Sequence, residues 1–201
     1  MFDRRIKISD VDAMTGQFFF GYGSLVNTAT HEYTPTEHMR LIGWRRCWRQ
    51  VQDYPVALLS AHAHTDSMID GLIAPVPNND WTALDIRERG YDRIALALNA
   101  QTMPHRTIDL AIYSVPGPPT ETTLTKQPIL LSYLDVVLQG YLRRFGISEA
   151  EGFLTSTDGW NRPVLNDRAT PHYPRHQVLT MLETEFVDAA LKQLQVDIIT
   201  L

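Results

Sequence analysis

The sequence is poor in cysteine: Cys47 is the only one among 201 residues, so no intramolecular disulfide can form. It also lacks a basic excess. The formal net charge is −5, whereas polyanion binding is driven by clustered Lys and Arg. Arg45, Arg46 and Arg49 do cluster, but acidic residues outnumber basic ones 23 to 18, and no nucleic-acid partner is expected. Long uncharged apolar runs are missing as well. Residues 1–16 carry Asp3, Arg4, Arg5, Lys7, Asp10 and Asp12, which leaves no apolar stretch for a signal peptide. No other segment reaches the length needed to cross a bilayer. The expectation is a cytoplasmic protein with no membrane partner.

What is present suits a soluble globular chain. Hydrophobic residues make up 44% and charged residues 20%, ordinary proportions for a domain that buries its own core. The length predicts one domain over 1–201, without internal repeats or low-complexity tracts. Phe18-Phe19-Phe20 reads as a buried strand that ends in a glycine turn at Gly21-Tyr22-Gly23. His38–Val51 reads as a long strand bent or bulged at Gly43, and Val56–Ser60 and Met68–Val76 as two further strands. Asn78, Asn79 and Asp80 offer caps for a short helix over 81–88 that Gly90 stops. Arg93–Asn99 and Thr107–Val115 return to strand alternation.

The composition then changes. Pro116-Gly117-Pro118-Pro119 cannot continue a central strand, so 116–125 reads as a connector. Pro128 suits a helix's first turn, and Leu131, Leu134, Val137, Leu138, Tyr141 and Leu142 lie at helical spacing before a stop at Gly146. Ser148 and Glu151 have capping-box spacing for a second helix. Residues 157–175 read as an irregular loop. A last helix over 177–195 should turn Leu179, Leu182, Phe186, Ala190 and Leu194 inward. The fold class is therefore α+β: a β-rich core over 17–115 with one short helix, then a mainly helical part over 116–201.

Two segments could carry chemistry. In Gly21-Tyr22-Gly23-Ser24-Leu25 the two glycines permit close backbone approach, so successive amides can converge on an anion. The segment has neither the Walker nor the dinucleotide glycine pattern, and the plain alternative is a tight turn. Glu88 shares a helical face with Leu84. If Leu84 faces the core, Glu88 loses solvation, its pKa rises, and it becomes a proton carrier near neutrality. The plain alternative is an ion pair with Arg87, Arg89 or Arg93. Cys47 lies among arginines that would favour a thiolate, but no histidine stands at a diagnostic spacing, and a small core residue is the simpler reading. His62 with His64, and His172 with His176, lack an acidic partner that would complete a metal signature; no metal is expected.

The Phe20–Leu25 motif, the aromatic Gly43-Trp44-Arg45-Arg46 segment, and Leu84-Asp85 with Glu88 before Gly90-Tyr91, in that order, closely resemble the γ-glutamylcyclotransferase-like superfamily over roughly residues 17–115. The resemblance implies a small twisted mixed β-barrel with flanking helices. It also implies a cofactor-free reaction that converts a small γ-glutamyl peptide or amine to 5-oxoproline and releases the amine. By the same resemblance Glu88 is the catalytic acid/base, and Tyr22, Gly23, Ser24 and Leu25 hold the substrate. A rival reading keeps the fold but uses the pocket only to bind a ligand or partner. A third has Glu88 activate water for amide hydrolysis. Residues 157–176 lie outside the resemblance.

Overall fold

The three phenylalanines form a strand that is covered on both faces. Side chains alternate across a strand, yet Phe18, Phe19 and Phe20 are all buried. In the computed structural model, which describes residues 16–97, 108–118 and 126–200, they lie in β1 (Gly16–Gly21). β1 sits inside a six-stranded mixed sheet ordered β4-β5-β1-β3-β2-β7. It pairs parallel with β5 (Ile108–Ser114) and antiparallel with β3 (Leu58–Pro75). β2 (Glu37–Arg49) follows β3, and β4 (Asp92–Leu96) and the short β7 (Thr157–Asp158) are the two edges. The sheet is thus a curled half-barrel with helices alongside it, in agreement with the expected α+β class.

Two predicted strands, 56–60 and 68–76, turn out to be the ends of β3. They are joined through His62–Ser67, which looks like a loop because it is polar. The register explains the continuity. Ile42 pairs with Met68 and Trp44 with Ala63, so Gly43 alone stands opposite residues 64–67. This is the bulge expected at Gly43, whose φ of +84° belongs to glycine.

α1 (Thr82–Arg87) starts where Asp80 accepts hydrogen bonds from the Thr82 amide and hydroxyl, and Glu88 caps its end before Gly90. Asn78 and Asn79 belong instead to a 3-10 turn over Pro77–Asn79. β4 ends earlier than predicted, and residues 98, 99 and 107 of the two expected strands lie outside the described residues. Pro128 precedes a two-residue strand, β6 (Ile129–Leu130), rather than sitting in the helix; α2 (Leu131–Arg144) begins after it.

α2 is buried on nearly every side. The apolar positions expected inward are joined by Ser132, Asp135 and Gln139, all buried. Each polar group has a partner, which is why burial is tolerated. The Ser132 hydroxyl donates to Asp167 at 2.6 Å, Arg168 clamps Asp135 with two bonds of 2.8 Å, and Gln139 accepts from Asn27 at 2.9 Å.

α3 (Ile147–Thr155) follows Gly146 directly and has no side-chain cap, so the predicted Ser148–Glu151 box is not used. The capping box lies instead at Thr180 and Glu183, and it starts α4 at Met181 (Met181–Leu194). The first turn of α4 stands clear of the core: Leu182, expected inward, is 73% exposed. The buried stripe is Val187, Ala190 and Leu191. Residues 157–175 hold two short strands, β7 and β8 (Val164–Leu165). β8 joins β6 and β9 (Ile198–Ile199) in a small parallel sheet. No helix among the described residues is long and apolar enough to cross a membrane.

Candidate active site

The chain leaves β1 at Gly21 and turns at once into a 3-10 turn, Ser24–Val26. Gly23 has to be glycine here: a Cβ would lie 2.7 Å from the Tyr133 hydroxyl and 3.2 Å from Leu59 Cδ2. The turn is fixed from below. The Tyr141 hydroxyl, with one proton to share, lies 2.9 Å from the Tyr22 carbonyl and 2.6 Å from the Asp70 carbonyl, and the Tyr22 hydroxyl donates to the Tyr113 carbonyl at 2.6 Å. Tyr141 is in turn held by Arg46, a fully buried arginine that donates 2.8 Å to its hydroxyl and stacks over Phe153 at 4.8 Å. The guanidinium's remaining partners are hydroxyls and a carbonyl: Ser156, Thr157 and the Asp70 backbone. Burial lowers its pKa.

Glu88 comes to the same place from the opposite side. Leu84 is buried in the core, and Glu88, one turn later, follows it inward with an 18% exposed side chain. Burial raises its pKa above the ordinary glutamate value, against the opposing charges of Arg87 and Arg175. The Arg87 guanidinium donates to Glu88 Oε1 at 3.1 Å and is itself tied to Thr30. The ion pair weighed in the sequence therefore exists, but it is buried, not a surface pair.

Two connected cavities meet at this carboxylate. A narrow cleft is lined by residues 20–25, Leu59, Glu88, Tyr91, Tyr113 and Tyr133. A wider chamber of about 490 Å³ shares Ser24, Leu59, Glu88, Tyr91 and Tyr133 with it. The chamber extends past residues 54–59, Arg87 and Arg89 to His172–Arg175. The two segments singled out in the sequence, Tyr22–Leu25 and Glu88, thus face one another across a single site.

Tyr22 was among the expected site residues, but the sequence assigned no role to the tyrosines around it, Tyr91 and Tyr133. Tyr91 donates to the Leu59 carbonyl at 2.9 Å, and the Tyr133 hydroxyl rests against the Ser24 amide. Tyr133 is also wedged edge-on between Trp48 and Tyr173. Burial pushes the Tyr22, Tyr91 and Tyr133 phenols up, and the Glu88 charge adds to each shift. They are neutral donors at physiological pH. Helical spacing had marked Tyr141 only as an inward-facing residue, and Tyr91 only as the residue after Gly90.

Cys47 lies in a separate cavity with His62, Asp158 and Trp160. Its Sγ is 3.5 Å from His62 Nδ1, a neighbour that no sequence spacing signals. Burial pushes the thiol up to about 11 and the imidazole down, so the pair is neutral and the thiolate scarce. Iodoacetamide at pH 7 is expected to alkylate the folded protein about 100-fold more slowly than a free thiol; alkylation at the free-thiol rate, followed by mass spectrometry, would contradict this. Among the described residues no group of three His, Cys, Asp or Glu side chains is placed to hold a metal ion.

By sequence, neither a family model nor a curated protein matches the chain. By structure, 86% of the chain overlays 98% of a γ-glutamyl cyclotransferase, with a TM-score of 0.51 and 14% identity. A human protein, loc79017, is similar over 85% of this chain and 97% of its own, with a TM-score of 0.52 and 14% identity. YkqA from Bacillus subtilis matches 71% of this chain over 55% of its own length, at 0.52 and 13%. These overlays run beyond residue 115 into the helical part, and the chain has the γ-glutamylcyclotransferase-like fold.

Proposed function

We propose that the chain is a γ-glutamylcyclotransferase-type enzyme that converts a small γ-glutamyl compound to 5-oxoproline and the free amine. The observation that carries this is Glu88: a buried carboxylate of raised pKa, on the wall shared by both cavities, facing the glycine turn. The substrate brings its own nucleophile, so the protein has three tasks. It must bend the γ-glutamyl unit so that the α-nitrogen meets the γ-carbonyl, take a proton from the α-ammonium, and stabilise the oxyanion.

Glu88 accepts that proton. The new N–C bond closes the five-membered ring, and Glu88 passes that proton to the departing nitrogen as the old amide bond breaks and its electron pair stays on the amine. The second proton of the ring nitrogen leaves through the freed Glu88 carboxylate to the released amine or to water, giving the neutral lactam. Amides of the Tyr22–Leu25 turn and the neutral Tyr133 hydroxyl offer donors on the opposite wall. The test is NMR detection of 5-oxoproline after incubation with glutathione, γ-glutamyl amino acids and γ-glutamyl-lysine. Lactam is the expected product. Free glutamate would mean that water is the nucleophile, and no product from a folded protein would leave only ligand binding.

A further inference from the structure

One wall of the chamber, absent from the narrow cleft, comes from His172–Arg175, and the segment that carries it, 167–175, is built rigidly. Asp167 accepts from the Ser132 amide at 2.8 Å, the Ser132 hydroxyl at 2.6 Å and the His172 amide at 2.9 Å. The Tyr173 amide donates to Ser132 Oγ at 3.2 Å, and its ring packs edge-on against Tyr133 at 4.9 Å. Arg168 links the segment to α2 through Asp135 and to α4 through Asp188 at 2.7 Å. A segment tied down at this many points presents Arg175, the last of its residues to line the chamber, at a fixed place.

Arg175 is spare. Arg45, Arg46, Arg87, Arg143 and Arg168 all donate to protein groups, whereas among the described residues the Arg175 and Arg89 guanidiniums make no hydrogen bond or close ion pair, and Arg175 acts on Glu88 only through its field. Of the two, Arg175 is the one carried by the tied-down segment. It lines the wide chamber but not the narrow cleft. The chamber also holds Arg87 and Arg89, and its one acidic side chain is Glu88, which Arg87 already pairs. An ammonium entering this chamber meets net positive charge; a carboxylate meets an unpaired fork of donors suited to bidentate binding.

The proposed cyclisation places the γ-glutamyl unit in the cleft, between the turn and Glu88, so the amine half must extend into the chamber. We propose that Arg175 binds a carboxylate on that amine half, and that the substrates are γ-glutamyl amino acids or short peptides, not γ-glutamyl derivatives of simple amines or of a lysine side chain. This inference rests on the function proposed above.

The test compares γ-glutamylglycine with γ-glutamylglycinamide, which differ only in the distal carboxylate. The ratio of their kcat/KM values is expected to be about 10 or more in the wild type. It should fall to about one in Arg175→Gln and recover in part in Arg175→Lys, which keeps the charge but loses the fork. Arg175 is exposed, so the variants keep the fold. A wild-type ratio near one, or a ratio unmoved in Arg175→Gln, overturns the proposal. If both substrates lose rate equally in the variant, Arg175 reads the α-carboxylate instead and the proposal falls.

A parallel calorimetric titration uses glutarylglycine and its amide, which lack the α-amine and cannot cyclise. The acid is expected to bind about tenfold more tightly, through Arg175. Equal rates of lactam formation from both substrates would sink the subsite and leave the cyclotransferase reading standing. Arg175-dependent preference in the titration, with no lactam from either substrate, would sink that reading and leave the subsite.

Discussion

Glu88→Gln is expected to lower 5-oxoproline formation by roughly 10³-fold while the protein stays folded, because a positioned acid/base contributes about 10² to 10⁴. Gln keeps the shape of Glu88 and can still accept from Arg87, which also retains its Thr30 partners; what it cannot do is take a proton. The wild-type rate should fall as pH drops through the Glu88 pKa, since the base must be ionised. That midpoint should lie above the ordinary glutamate range, because burial raises it. Retention of more than a tenth of the wild-type rate would remove Glu88 from the mechanism.

The same shift makes a stability prediction of definite sign. Between the unfolded and folded pKa values of Glu88 the native state binds more protons than the unfolded one. Stability contributed by this group is therefore lost as pH rises through that window. Glu88→Gln should flatten this part of the stability-versus-pH curve. At pH 8 the variant should melt no lower than wild type, and below the unfolded pKa the two should converge. A variant less stable than wild type at pH 8 would mean that the ionised carboxylate is a net structural asset, held by Arg87.

Both segments that line the candidate site could be singled out in the sequence, since their signals are local. Gly21 and Gly23 at a strand end mark a turn that backbone must approach closely, and the Leu84–Glu88 spacing points the carboxylate inward. Burial on α2 could not be read in the same way. Ser132, Asp135 and Gln139 look like a solvated face, and only their partners 33 to 112 residues away make that face interior. The His62–Ser67 stretch failed for a related reason: its polarity suggests a loop, but pairing with β2 on both sides of the bulge keeps it in the strand. At Cys47 the simpler reading as a core residue holds, since the side chain is buried, although the neighbouring arginines alone would favour a thiolate. Burial outweighs them, and the thiol moves the other way. Leu182 was misplaced because spacing alone ignores where a helix begins, and the Thr180–Glu183 box starts α4 with a turn that overhangs the core.

Gly140→Ala separates local propensity from packing most sharply. In a helix interior, alanine is favoured over glycine by about 1 kcal/mol, so propensity alone predicts a more stable protein. At this position a Cβ would lie 2.7 Å from the Asn27 amide nitrogen, 2.8 Å from its Cβ and 2.9 Å from its Cα. Two of those atoms are backbone and cannot swing aside, and Asn27 is buried, with its side-chain amide donating to Val136 and Gln139 at 2.9 Å each. To admit the methyl, α2 must move away from the turn and stretch both bonds. Overpacking costs about 1–3 kcal/mol and each weakened buried hydrogen bond about 1 kcal/mol, so the clash wins. The net expectation is destabilisation by about 3 kcal/mol in urea unfolding, after the propensity gain is subtracted. Because Asn27 closes the turn that begins at Ser24, the strain should also reach the Ser24 amide and the Tyr133 hydroxyl beside it, and turnover should fall with stability. An unchanged or raised unfolding midpoint would show that helix and turn can separate at little cost, so that their close approach does not hold the Tyr22–Leu25 turn in place.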